Sequence, residues 1–183
     1  IIYRRAGVIC DTTILNNKLI IGNGGDQPLS FDGAAFTAMT TAPLGKYWIN
    51  AVGRAITAGV DTNPSAVYAS KVNDPTSYVN DAADLSSGWT ALVDPDNNGA
   101  ITGLEKKAGR ILVHKEGGLY KIIFDEFGMP QEIIDMEVNE ATTSNASIVA
   151  SGEFNYSFNK EGIFRGQGST PEIISLPLGD LAA

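Results

Sequence analysis

The chain reads as all-β: a β-propeller-like repeat of antiparallel blades of three or four strands, forming part of a propeller. Three observations predict this. A hairpin signature recurs four times, over Thr12–Phe31, Trp48–Tyr68, Ile101–Tyr120 and Ile148–Phe164. Each copy has a short apolar strand and a tight turn ending in a charged anchor: Lys18, Arg54, Arg110 or Glu153. A second strand, a Gly- or Pro-bearing turn and a third strand follow. The anchors lie 36, 56 and 43 residues apart, the spacing of propeller blades. No heptad or convincing amphipathic helix competes, and the best helical window, Leu104–Ala108, stops at Gly109.

In chain order, Ile1–Cys10 reads as the outer strand of a preceding blade. Thr12–Phe36 is a full hairpin, with turns at Asn23-Gly24-Gly25-Asp26 and Asp32-Gly33, residues that accept positive φ. Ala38–Gly45 is a small-residue connector. Trp48–Ser70 is the second unit, in which Ile56 and Ala58 alternate like Val67 and Ala69. Lys71–Ser87 is an inserted loop that explains the 56-residue gap; Asp81–Leu85 fits one helical turn capped by Asn80 or Asp81. Trp89–Asp94 is a strand. Ile101–Ile123 is the third unit, turning at Glu116-Gly117-Gly118, and Gln131–Val138 adds a further strand. Ile148–Arg165 is the fourth unit, with a turn at Asn159–Gly162, and Ile173–Leu176 is a last short strand. The repeat units span about 12–43, 47–95, 99–138 and 146–177, within one region covering 1–183. Isolated hairpins are marginal in water, and four blades is a low count for a closed ring. Further blades are therefore expected outside these 183 residues, the chain being part of a larger one.

Composition narrows the function. Hydrophobic residues make up 43% and charged residues 19%, a globular balance. The net charge of −8 and the diluted basic clusters Arg4–Arg5 and Lys106–Lys107–Arg110 argue against a nucleic-acid clamp. An acidic surface suits a conduit that repels DNA. The single cysteine, Cys10, allows no internal disulfide and is expected to be a small buried residue. No apolar run reaches the length of a membrane span, and no signal peptide is visible.

The sharpest chemical motif is Asp94-Pro95-Asp96-Asn97-Asn98-Gly99, continued to Glu105. Asp94, Asp96, Asn98 and Glu105 stand at EF-hand ligand spacing, and hard oxygen ligands suit Ca²⁺. The flanking segments are β-rich, so the competing reading is a turn between blades. The acids Asp11, Asp26, Asp32, Asp74, Asp125 and Glu126 sit in or beside turns, where local hydrogen bonding explains them better than a glycosidase pair. His114, the only histidine, cannot build a multi-His zinc site; a strand-face histidine with an ordinary hydrogen bond is expected, rather than a dyad with Cys10. Asn145-Ala146-Ser147 matches a glycosylation acceptor by chance. The aromatic residues fall on repeat positions and read as packing rather than as a carbohydrate platform.

Three ordered stretches carry a resemblance. The first is Leu19–Gly24, Pro28, Phe31-Asp32-Gly33 and Phe36, followed by Ala42-Pro43. The second is Gly53-Arg54-Ala55, Asn63-Pro64-Ser65, Val67–Ser70 and Asn73-Asp74-Pro75. The third is Gly99–Leu104, Gly109–Lys115 and Leu119-Tyr120, with His114 where a phenylalanine is usual. Over about Asn17–Ile123 the chain resembles the β-propeller region of tailed-phage tail proteins, especially the nozzle or hub proteins of short-tailed phages. The resemblance implies a virion component without catalysis or cofactor. It implies a homo-oligomeric ring, typically a hexamer, beside portal, adaptor or other tail proteins, through which DNA passes without specific binding and without a membrane. No functional residues carry over, because the matching positions are turn and core residues. A glycan-binding or glycan-cleaving propeller and a Ca²⁺-dependent interaction domain on loop 94–105 are the alternatives.

Overall fold

Two-residue turns set the architecture. They join the first and second strands of the first two of four consecutive meanders. In the computed structural model, which describes residues 9–107, 109–138, 142, 144–151, 154–159, 162–166 and 172–175, these meanders are four antiparallel sheets of four strands. Sheet 1 is β1 (Asp11–Leu15), β2 (Lys18–Gly22), β3 (Leu29–Phe31) and β4 (Phe36–Ala38). Sheet 2 is β5 (Tyr47–Ala51), β6 (Arg54–Val60), β7 (Asn63–Ala69) and β8 (Trp89–Leu92). Sheet 3 is β9 (Ile101–Lys107), β10 (Arg110–Lys115), β11 (Gly118–Phe124) and β12 (Pro130–Asp135). Sheet 4 is β13 (Val149–Ser151), β14 (Phe154–Asn159), β15 (Gly162–Gly166) and β16 (Glu172–Ile173). Within each sheet every strand pairs with its sequence neighbours. The described residues contain one 3₁₀ turn, Asn145–Ser147, and no α-helix.

The anchors align as expected in three sheets. Lys18, Arg54 and Arg110 each open the second strand. The turn before Arg54 is Val52-Gly53, both at positive φ (46° and 71°), and the turn before Lys18 is Asn16-Asn17 (49° and 59°). Such turns match the right-handed twist of the strands they join. In sheet 4 the described second strand opens on Phe154, and the anchor expected there, Glu153, lies outside the described residues. The inserted segment between β7 and β8 forms turns rather than a helix. Asp81 accepts a hydrogen bond from Ala83 N–H, and Asp84 from Ser86 N–H. Glu116-Gly117 is the β10–β11 turn, and Gly118 already belongs to β11. The strand expected over Ile1–Cys10 lies outside the described residues up to residue 8, and so do Leu176 and the tail.

The sheets stack in chain order, each presenting a forward face to the next sheet's back face. The forward face of sheet 1 places Ile20 against Trp48 and Ala55 of sheet 2. Gly22 lies beneath the Trp48 ring, where a Cβ would come within 2.1 Å of the indole nitrogen. The forward face of sheet 2 (Ile56, Ala58, Val67, Ala69) meets the back face of sheet 3 (Ile111, Val113, Tyr120, Ile122) in the largest apolar cluster. The third joint, sheet 3 to sheet 4, is polar: Asn155 donates to Glu105 at 2.8 Å. The first strands of successive sheets lie against one another. There the Asp11 carboxylate of β1 accepts Trp48 N–H of β5 (2.7 Å) and the Asn145 side chain (3.4 Å), while Asn145 Oδ1 accepts Leu104 N–H of β9 (3.0 Å). These contacts satisfy backbone groups on inner edges that would otherwise be open.

Candidate functional site

The loop carrying Asp94, Asp96, Asn98 and Glu105 leads from β8 into β9, and β-pairing decides its shape. Lys115, the last residue of β10, is fully buried and points its ammonium into the loop. Nζ donates to the carbonyls of Val93 (2.9 Å), Asp94 (2.6 Å) and Asn97 (2.8 Å), and to Ser65 Oγ (3.2 Å). Burial pulls this ammonium below the usual lysine range, against the opposing pull of Asp94 and Glu116. Asp94 is held by Tyr120 OH (2.5 Å), Asn97 Nδ2 (3.1 Å) and Asn98 Nδ2 (3.4 Å). These bonds keep its carboxylate below the ordinary range, Tyr120's contributing most. Desolvation, then the bond to Asp94, pushes the Tyr120 phenol up to about 12.

The calcium ligand set, the alternative reading of this loop, does not assemble. The loop carbonyls already coordinate an ammonium, Asp96 is exposed, and Glu105 lies in β9 at the sheet 3–sheet 4 joint. The physical reason is register. Pairing Leu112 with Glu105 commits that side chain to the forward face of sheet 3, beside His114. Among the described residues no three of His, Cys, Asp and Glu gather in a metal-holding group.

A second buried cation organises sheet 2. Arg54 is fully buried and caps carbonyls of the inserted loop. Nη1 donates to Ser70 O (2.8 Å) and Ser87 O (2.5 Å), and Nη2 to Leu85 O (2.9 Å) and Phe127 O (3.1 Å) of sheet 3's β11–β12 connection. Desolvation lowers its proton affinity, and Asp125 and Asp84 oppose this. Ser70 Oγ accepts Ala55 N–H (3.0 Å), and Tyr78 OH donates to Ala55 O (2.9 Å). Lys71 pairs with Asp84, whose bonds from Ser86 hold its carboxyl at about 2. Val52, Leu85, Phe127, Asp125 and Glu126 line an open cavity of 490 Å³ beside this hub.

The remaining candidates are placed singly. Cys10 is exposed, contrary to expectation, because it precedes β1 and enters no sheet. His114 is buried as a strand-face residue, but neither ring nitrogen has a hydrogen-bond partner; Glu105 Oε2 lies 3.8 Å from Nε2. Cys10 and His114 are not brought together. Asp26, Asp32, Asp74 and Asp125 cap their own turns, as the competing reading held. Asp11 bridges β1 and β5, and burial raises its pKa. The Asn145 amide is engaged between β9 and β1. Trp48, Trp89 and Tyr120 are buried, so these rings pack the sheets rather than form a glycan platform. Sequence reading saw Arg54 as a repeat anchor and Lys115 as a motif residue, yet gave neither a role. The signal available was a cation at a strand end facing a turn rich in carbonyls.

No family model matches this chain, and no curated protein does. Solved structures do. The computationally designed Ika4 protein matches with a TM-score of 0.58 at 9% identity, over 90% of this chain and 94% of that one. Hsv2 of Kluyveromyces lactis, a β-propeller, matches with a TM-score of 0.51 at 9% identity, over 90% of this chain but only 50% of its own. The likeness is one of fold alone. No helix of the described residues is long and apolar enough to cross a membrane.

Proposed function

We propose that this chain is a non-catalytic structural part of a phage tail, of the nozzle or hub kind. Its copies form a ring, typically of six, around the passage for DNA, beside portal, adaptor or other tail proteins in the virion. One observation carries the reading: the residues that bear the resemblance meet in space. Arg54 and Ser70 of the second stretch join in one hub, and Lys71 N–H and Asn73 N–H of the adjoining turn bond back to Ser77 and Gly53 carbonyls. Lys115 and Tyr120 of the third stretch meet on the Asp94 loop. The stretches thus act as loop-fixing units, the use expected of residues that build an assembly. The inner strand edges are bonded to one another through Asp11 and Asn145. On this reading, DNA passes through the ring of copies rather than through the axis of one chain. The net charge of −8 favours such passage without adhesion.

Negative-stain microscopy and mass photometry of the whole gene product test this. Rings of about six copies with an open centre are expected, together with labelling of tail tips on intact virions. A gene product that stays a single particle and is absent from virions would refute it.

A further inference from the structure

Among the described residues, sheets 1 and 4 each leave one face without a partner. Strand register makes the back face of sheet 1 out of Ile14, Leu19, Ile21, Leu29, Phe31 and Phe36. None of these is buried; Ile14 is 60% and Phe36 50% exposed. The forward face of sheet 4 carries Val149, Phe154, Tyr156, Phe158 and Ile163, with Val149 56% and Phe158 42% exposed. Among the described residues its charged pair is Arg165–Glu172, which is internally neutralised, and the guanidinium lies over the Phe154 ring at 4.9 Å. The sheet 1 face has no charged residue. In a chain of net charge −8, two apolar sheet faces, one without charge and one carrying a paired Arg165 and Glu172, are not ordinary solvated surface.

We propose that the forward face of sheet 4 docks on the back face of sheet 1 of a second copy of this chain, head to tail. Two copies then close one eight-bladed propeller. Three features favour this occupant. Each internal joint is a forward face on a back face, and the faces left over are one of each kind, so the docking continues an interface built three times already. A joint between unlike faces is heterologous, and heterologous joints either close a ring or propagate into a fibre. Two copies supply eight blades, within the range of about four to eight at which propellers close. The chain also spans half of the Hsv2 propeller, so two copies match one propeller in length. The proposal goes beyond the ring reading, which concerns the assembly of the whole gene product around DNA.

Light scattering of the 183-residue chain at about 10 μM, above the dissociation constant of a standard-size interface, should give twice its 19.3 kDa mass. Phe36→Glu and Phe158→Glu should each return the single-chain mass, weakening pairing by roughly 30-fold or more, the scale of a buried aromatic anchor. Mixing the two variants should restore two-chain particles held by one joint, the intact sheet 4 face of Phe36→Glu on the intact sheet 1 face of Phe158→Glu, with the second joint left open. That recovery also shows both variants folded; Ile14→Lys and Ile163→Lys form a second pair for the same mixing test. A single-chain wild type, a pair that survives Phe158→Glu, or a mixture that stays single would overturn the proposal. A single-chain wild type would assign the faces to further blades of a longer polypeptide. None of these failures touches the six-copy ring, which microscopy of the whole gene product reads separately.

Discussion

β6 and β2 hold the same place in their sheets, each following a two-residue turn, yet all seven residues of β6 are buried and only two of the five in β2. The difference is position in the stack. Sheets 2 and 3 have a neighbour on both faces, and sheets 1 and 4 on one. A strand covered on both sides needs small or apolar residues throughout, as Arg54–Val60 supplies with Ala55, Ala58 and Gly59 between larger side chains. A repeat protein therefore gains stability from joints rather than from blades. The largest expected effect follows from the anchors. Arg54→Met strips donors from buried carbonyls of two sheets and should cost about 3–5 kcal/mol. Lys18→Met, at the equivalent position in sheet 1, should cost under about 0.5 kcal/mol. Urea unfolding of both variants reads the gap, and equal losses would remove the distinction between inner and end sheets.

The same contrast holds for apolar side chains. Ile56→Ala opens a cavity in the joint between sheets 2 and 3 and should cost about 2–5 kcal/mol, whereas Ile21→Ala on the open face should cost under about 1.5 kcal/mol. The comparison belongs on a Phe36→Glu background, where the open face stays open. An Ile21 loss as large as that of Ile56 would mean that the face is already covered within one chain.

Much of this was legible in the sequence because turns are local. Asn16-Asn17 and Val52-Gly53 announce the hairpins, and the 56-residue gap announces the inserted loop. The alternation of Ile56 and Ala58 against Val67 and Ala69 gave the face that meets sheet 3. The polar joint was not legible. Glu105 reads equally well as the twelfth residue of a cation loop, and only its pairing with Leu112 sends it to Asn155. The sequence marks Arg54 only as a repeat anchor and Lys115 only as a motif residue, since the carbonyls they cap lie up to 73 residues away in sequence. Exposed Cys10 shows the converse: composition suggests burial, but a residue ahead of the first strand has nothing to be buried against.

Lys115 sharpens the comparison further, because it fixes a loop at the rim of an inner sheet. Lys115→Met leaves the Val93, Asp94 and Asn97 carbonyls without their donor and should cost about 2–3 kcal/mol. Hydrogen exchange should quicken in 93–99 and stay unchanged in sheet 1. Exchange that quickens everywhere would mean that the hub supports the whole stack.

The smallest effect is a titration. Tyr120 is held at about 12 in the folded chain, against an ordinary value near 10. The folded state therefore keeps its phenol proton over a range in which the unfolded chain has lost it. The sign follows: this contribution is complete below about pH 10 and is lost as pH rises toward 12. Asp94→Asn removes the negative partner but not the desolvation, which is the larger cause. The phenol should then titrate lower than in the wild type yet still above 10. Ultraviolet titration of tyrosinate, with Tyr120→Phe to identify the late step, resolves it. A late step unmoved by Asp94→Asn would mean that Asp94 does not hold the phenol proton, leaving desolvation as the cause of the shift.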